Sequence, residues 1–145
     1  ITHGDGRRTA PSAGARYPLE LYVATPTGFF HYHPRGHQIE RILATDLRPV
    51  ISKAALGQTW VAEAPAVFVF TAVISRTAQR YGETRSPRYV HLEIGHAAQN
   101  LLLQAVALNL GGVPVGAFDD SQLQNSMPVP ADHTALYLVS VGHSR

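Results

Sequence analysis

Between Tyr89 and Leu110 apolar residues wrap most of a helix's circumference, with Gln99, Asn100, Gln104 and Asn109 as narrow polar interruptions. A helix that is apolar on most sides must be covered on most sides, by its own domain or by a partner. This element therefore takes the centre of the fold, and the other segments have to be arranged around it. Its polar interruptions also keep the run from Ala97 to Leu110 well short of the uninterrupted apolar length that crosses a bilayer, so no membrane span is expected.

The flanking segments supply a sheet. Leu19 to Thr25 alternates in polarity, and after a Pro26-Thr27-Gly28 turn the aromatic-rich Phe29 to His33 predicts the second arm of a hairpin. Ala66 to Ile74 is continuously apolar and rich in Val and Phe, which predicts a central strand buried on both faces. Asp46 to Leu56 has helical spacing behind a capping aspartate and stops before Gly57. A further short helix is expected after the Asp119-Asp120 cap through Leu123, and Ala135 to Val141 closes the chain as a strand. A chain of 145 residues with no repeat or linker then reads as one domain, 1–145, of α+β class, burying about two-thirds of its unfolded surface.

Several functions are disfavoured by composition. The formal net charge is only +2, the single lysine is Lys53, and the arginines are scattered, so nucleic acid is not an expected partner. The absence of cysteine excludes a disulfide framework, a thiolate nucleophile and a cysteine metal site. It is compatible with a reducing compartment, and the expected location is the cytoplasm. The opening Ile1-Thr2-His3-Gly4-Asp5-Gly6 looks neither like a signal peptide nor like a natural start, and predicts a fragment.

Two loops of small residues stand out against this background. Pro11-Ser12-Ala13-Gly14 lies just ahead of the first strand, and Gly111-Gly112-Val113-Pro114-Val115-Gly116-Ala117 follows the long helix. Such loops leave little side-chain bulk, so a flat ligand can lie against the backbone itself. Neither is a nucleotide loop, since the second has the wrong glycine spacing and Pro114 breaks the helix that a dinucleotide fingerprint requires. Ser12 lacks the preceding glycine of a hydrolase elbow. Among the histidines, His31 and His33 share a strand face, with Glu40 as the one nearby carboxylate, while Glu93 and His96 form one half of a di-iron pair whose other half is missing. No metal is expected at either place, and Glu93 reads as a polar contact buried near a helix start.

The segments RRTAPSAGARYPLELYV, RYGETRSPRYVHLEIGHAAQNLLLQAVAL and VPVGAFDD, in this order, resemble the nitroreductase superfamily and most of all its SagB-type dehydrogenase branch. The resemblance implies an FMN-binding α+β fold, with a mixed, mostly antiparallel sheet packed on a long central helix, and a homodimer formed through long helices with flavin held between subunits. It implies that Pro11, Ser12, Ala13 and Gly14 approach the flavin, commonly from the partner subunit, and that Pro114, Val115, Gly116 and Ala117 line the other side of the ring. Hydride transfer would run through flavin N5, with either a peptide azoline as substrate or, after reduction by NAD(P)H, a nitroaromatic or quinone. Azoline-oxidising relatives use a lysine-tyrosine pair as base; the equivalents here are Arg80-Tyr81 and Arg88-Tyr89. An arginine keeps its proton, which leaves Tyr81 and Tyr89 as the catalytic candidates. Relatives also carry an upstream basic segment that grips the FMN phosphate. The sequence given starts after it, so Arg7, Arg8 and above all Arg145 are the candidate phosphate contacts, and a non-catalytic truncated paralogue or accessory subunit is the rival reading.

Overall fold

A computed structural model describes residues 7–143. Six strands form one sheet in the order β3-β2-β1-β4-β6-β5, from β1 (Leu19–Thr25), β2 (Gly28–His33), β3 (Gln38–Leu43), β4 (Ala66–Ala72), β5 (Gly111–Val115) and β6 (Thr134–Gly142). All of the pairings between these strands are antiparallel. The expected hairpin is present, with Thr25 opposite Gly28 at its turn. The apolar run at 66–72 lies inside the sheet between β1 and β6, as its composition predicts.

Helices cover both faces. On one, α1 (Arg48–Ala54), α2 (Thr59–Glu63) and α5 (Asp120–Asn125) enclose a core that includes Phe29, Ile51, Val61, Val69, Leu123 and Leu138. On the other, α3 (Ile74–Tyr81) and α4 (Ser86–Ala107) pack over Leu19, Phe70, Ala72 and Val139 through Val90, Ile94, Ala98 and Ala105. The alternation of strand side chains between faces makes this division, because neighbours such as Val69 and Phe70 must point to opposite layers.

Four segments differ from the sequence reading. The strand expected to reach Ile74 ends at Ala72, where the chain turns and Ile74 starts α3. The long helix starts at Ser86, not Tyr89, because Pro87 suits a first helical turn and the Ser86 hydroxyl donates to the Gly82 carbonyl at 2.6 Å. The helix expected over 46–56 is confined to 48–54; Asp46 stays outside it and accepts the Arg48 N–H at 3.0 Å. The second small-residue loop is an edge strand through Val115, and Pro114 is tolerated there because an edge strand can leave one side of its backbone without a partner. The opposite edge, β3, is exposed along its whole length and so carries no buried alternation to mark it.

Within one chain α4 is covered on one side only. Leu92 (55%), Leu103 (60%), Leu108 (59%) and Val106 (69%) remain exposed. Between α4 and β1 an apolar cavity of about 420 Å³ is lined by Leu21, Phe70 and Leu101, with Arg8 and Glu93 also on its wall.

Candidate active site

The first loop is folded tightly on itself. Its 3-10 turn spans Ala13–Ala15, and three residues in a span of four take positive φ: Gly14 (58°), Ala15 (53°) and Tyr17 (48°). Left-handed backbone is cheap for glycine and costly for alanine and tyrosine, so the surroundings must impose it. The Ser12 hydroxyl oxygen accepts the Tyr17 N–H at 2.8 Å, and the Tyr17 carbonyl accepts from Arg76 Nη1 at 3.2 Å. The Arg8 guanidinium lies 4.9 Å from the centre of the Tyr17 ring.

Two carboxylates stand behind these contacts. Glu20, on β1, holds Arg76 at 2.6 Å and accepts from His31 Nε2 at 2.9 Å. Burial pushes its carboxyl upward, but the hydrogen bonds and charges of Arg76 and His31 outweigh this and leave it below the ordinary value. Glu93, on α4, is buried; its carboxyl faces the Ser12 hydroxyl and the Arg8 charge, yet burial dominates and holds it above the ordinary value. His31 belongs to the same network, its ring stacked on Tyr22 at 4.4 Å, while the Tyr22 hydroxyl meets His133 Nδ1 at 2.7 Å.

Tyr81 lies beside this loop, and Tyr89 packs on Tyr81. The Tyr81 and Tyr89 rings pack at 4.7 Å, and a Cβ added to Gly14 would come within 2.8 Å of the Tyr81 hydroxyl and of Arg80 Cδ. The loop therefore presents bare backbone to the end of α3, and a side chain there would have to displace the Tyr81 hydroxyl and the Arg80 side chain.

The second loop is built differently. Val115 is buried, Pro114, Gly116 and Ala117 are exposed, and no positive φ is found from 111 to 117. Gln58 Nε2 donates to the Ala117 carbonyl at 3.0 Å, and the Asp119 carboxylate caps α5 by accepting the Gln122 N–H at 2.8 Å. Among the described residues neither the Gly116 nor the Ala117 N–H makes a backbone hydrogen bond. Two exposed amides on bare backbone fit the edge of a flat, hydrogen-bonding ring such as FMN.

The structure brings Gly14 together with Tyr81, on which Tyr89 packs, and gives neither tyrosine a hydrogen bond or ring contact with Pro114–Ala117. The first loop is anchored on the α3–α4 face, the second on the α1–α2–α5 face, and β1 and β5 are three strand spacings apart, roughly 14 Å. Arg145 lies outside the described residues. His33 Nε2 meets Glu40 at 2.9 Å, His91 and His96 are exposed, and among the described residues no group of three or more His, Asp or Glu is arranged to hold a metal ion. Sequence reasoning missed Glu20 and Arg76, and it saw Glu93 only as a helix contact; an acidic residue at an apolar phase of α4 was the available signal.

Residues 4–143 match the Nitroreductase family. The chain belongs to the nitroreductase family. It is 42% identical over 135 residues to a protein of Methanocaldococcus jannaschii named as a nitroreductase, covering 89% of this chain and 68% of that one. It is also 31% identical over 114 residues to the trifolitoxin-processing protein TfxB of Rhizobium leguminosarum bv. trifolii, covering 72% of this chain but only 31% of TfxB. Among solved structures, a Ralstonia eutropha protein described as a nitroreductase superposes with TM-score 0.84 at 30% identity, covering 97% of this chain and 64% of that one. An Anabaena variabilis counterpart gives TM-score 0.84 at 27% identity, covering 97% of this chain and 30% of that one. This nitroreductase-family chain thus has the family's α+β fold, and the family's members are generally flavin-dependent oxidoreductases.

Proposed function

We propose that this chain is an FMN-dependent oxidoreductase of the SagB-type branch, acting on a peptide azoline. The observation that carries the reading is the tight turn from Pro11 to Tyr17, in which Ala15 and Tyr17 hold costly left-handed backbone and Gly14 lies directly against the Tyr81 hydroxyl. When bound, FMN supplies hydride acceptance and donation at N5. Pro11 to Gly14 form one wall for the ring, and the amides of Gly116 and Ala117 are the donors for its other edge. Oxidation of an azoline to an azole removes one hydride and one proton, and Tyr81, with Tyr89 packed behind it, would take the proton as its phenolate. Arg80 lies 5.7 Å from the Tyr81 ring and supplies positive charge without serving as a base. The likeness to TfxB, whose name describes toxin processing, supports a peptide substrate.

The two walls lie on opposite faces of one chain, which supports a site assembled from two copies. The exposed Leu103 and Val106 on α4, with Leu108 just past its end, supply an apolar surface for that homodimer. The 42% likeness to a protein named as a nitroreductase favours a second reading, in which NAD(P)H reduces the flavin and a nitroaromatic or quinone reoxidises it. Anaerobic reduction separates the two. With FMN bound, an azoline peptide is expected to bleach the flavin absorbance; bleaching by NAD(P)H alone would overturn the azoline reading in favour of the second.

A further inference from the structure

We propose that the corner between α1 and α2, residues 55–60, is the substrate-selecting rim of the second wall, where Leu56 and Trp60 receive the flat, apolar ring of the substrate. The inference deepens the flavin reading and rests on it; in the peptide, that ring is the azoline. The corner is docked directly on the loop that carries the Gly116 and Ala117 amides. Gln58 Nε2 donates to the Ala55 carbonyl at 2.8 Å and to the Ala117 carbonyl at 3.0 Å. The Asp119 N–H donates to the Ala54 carbonyl at 2.9 Å, so the far end of the loop is tied to α1 as well. Leu56 and Trp60 stand two residues to either side of Gln58, and both are exposed, at 69% and 47%.

Leu56 holds its place at a cost. It is the first residue past Ala55, the C-cap of α1, and its φ of 58° is the left-handed position that glycine ordinarily fills. The hydrogen bonds around it are complete without its side chain. The Gly57 N–H donates to the Ser52 carbonyl at 2.9 Å, and the buried Ser52 hydroxyl donates to the Gln58 carbonyl at 2.8 Å. These bonds make the corner rigid and ask nothing of the residue at 56. A leucine that strains the backbone and leaves most of its surface in water contributes little to folding, so what it offers is a contact for a ligand. Residues 54–62 and 111–118 contain no charged side chain. Both sides of the junction therefore suit an uncharged ring, and the indole of Trp60 is a broad aromatic face on which such a ring stacks.

The test follows anaerobic bleaching of the FMN-loaded chain by a short thiazoline peptide, for the unaltered chain and for Trp60→Ala, Trp60→Phe and Leu56→Gly. Trp60→Ala and Leu56→Gly are each expected to raise the half-saturating peptide concentration about tenfold, with the bleaching rate at saturation and the FMN affinity unchanged. Trp60→Phe keeps an aromatic face and should recover most of the loss. Leu56→Gly should also leave the thermal midpoint unchanged or raise it, which a residue kept for stability would not do. Unchanged half-saturation in either variant, an equal loss of FMN affinity, or a lowered midpoint in Leu56→Gly would overturn the rim. If NAD(P)H bleaches the flavin and the peptide does not, the azoline reading fails; the same variants are then read with a naphthoquinone as oxidant, where the same rise keeps the rim and no rise overturns it. If the unaltered chain binds no FMN, the flavin reading fails, and the emission of Trp60, the chain's single tryptophan, decides: quenching by the thiazole form of the peptide keeps the rim, and its absence overturns it.

Discussion

The two small-residue loops look alike in sequence and are shaped by opposite means. The chain from Pro11 to Tyr17 is held by side chains of two other elements, Arg76 on α3 at the Tyr17 carbonyl and Glu20 on β1 behind Arg76, while its own Ser12 hydroxyl accepts the Tyr17 N–H. Pro114–Ala117 needs none of this, since pairing of β5 with β6 sets its start and the Asp119 cap of α5 sets its end. One wall is thus a strained loop imposed by tertiary contacts, and the other an unstrained exit from regular structure. Small residues mark where a flat ligand could lie, but only the contacts behind them tell which wall is costly to hold.

The largest difference should come from adding a side chain to each loop's glycine. Gly14→Val combines positive φ with a collision at 2.8 Å against Tyr81 and Arg80, so we expect roughly 2–4 kcal/mol of lost stability and no measurable FMN affinity. Gly116→Val meets only Tyr137 at 3.8 Å, an ordinary contact, and thermal unfolding should change by no more than about 0.5 kcal/mol. Equal losses in the two variants would erase the comparison.

Removing the supports comes next. Arg76→Ala leaves Glu20 without its cation and Tyr17 without its carbonyl donor, and denaturant unfolding should show a loss of about 2 kcal/mol. Asp119→Ala removes one helix cap beside the second loop, for about 1 kcal/mol. A larger effect from Asp119 than from Arg76 would mean that the second wall, not the first, is the one held by side chains.

This contrast also explains what could be foreseen. The hairpin, the buried β4, the capped α5 and the central α4 were legible because each rests on a periodicity or a cap written locally. The edge strands were not: β3 has no buried face, and β5 hides behind glycines and a proline. Both loops could be found from their small residues, and the tyrosines from the family motif. The Glu20–Arg76 pair and the Arg76 bond to the Tyr17 carbonyl could not, because they join residues that only the folded sheet and α3 bring together.

The smallest expected effects are in pH, and they have opposite signs. Glu20 titrates below its ordinary 4.5, so its contribution is present above that value and lost as pH falls through the folded pKa; Glu20→Gln should flatten this acid limb. Glu93 titrates above 4.5, so its contribution is present below that value and lost as pH rises through the folded pKa. Glu93→Gln should remove that decline. Unfolding curves collected from acid to neutral pH read both, and parallel behaviour of the two variants would contradict the distinct roles assigned to these carboxylates.

That the two walls meet only between two copies can be tested by complementation. Gly14→Ala and Ala117→Glu chains, each damaged in one wall, are refolded together and titrated with FMN by fluorescence. Each variant alone should bind no flavin, while the mixture should recover about a quarter of the unaltered chain's sites, because every mixed dimer joins one intact pair of walls. A mixture as silent as its parents, beside an unaltered chain that binds FMN, would contradict a site shared across the dimer.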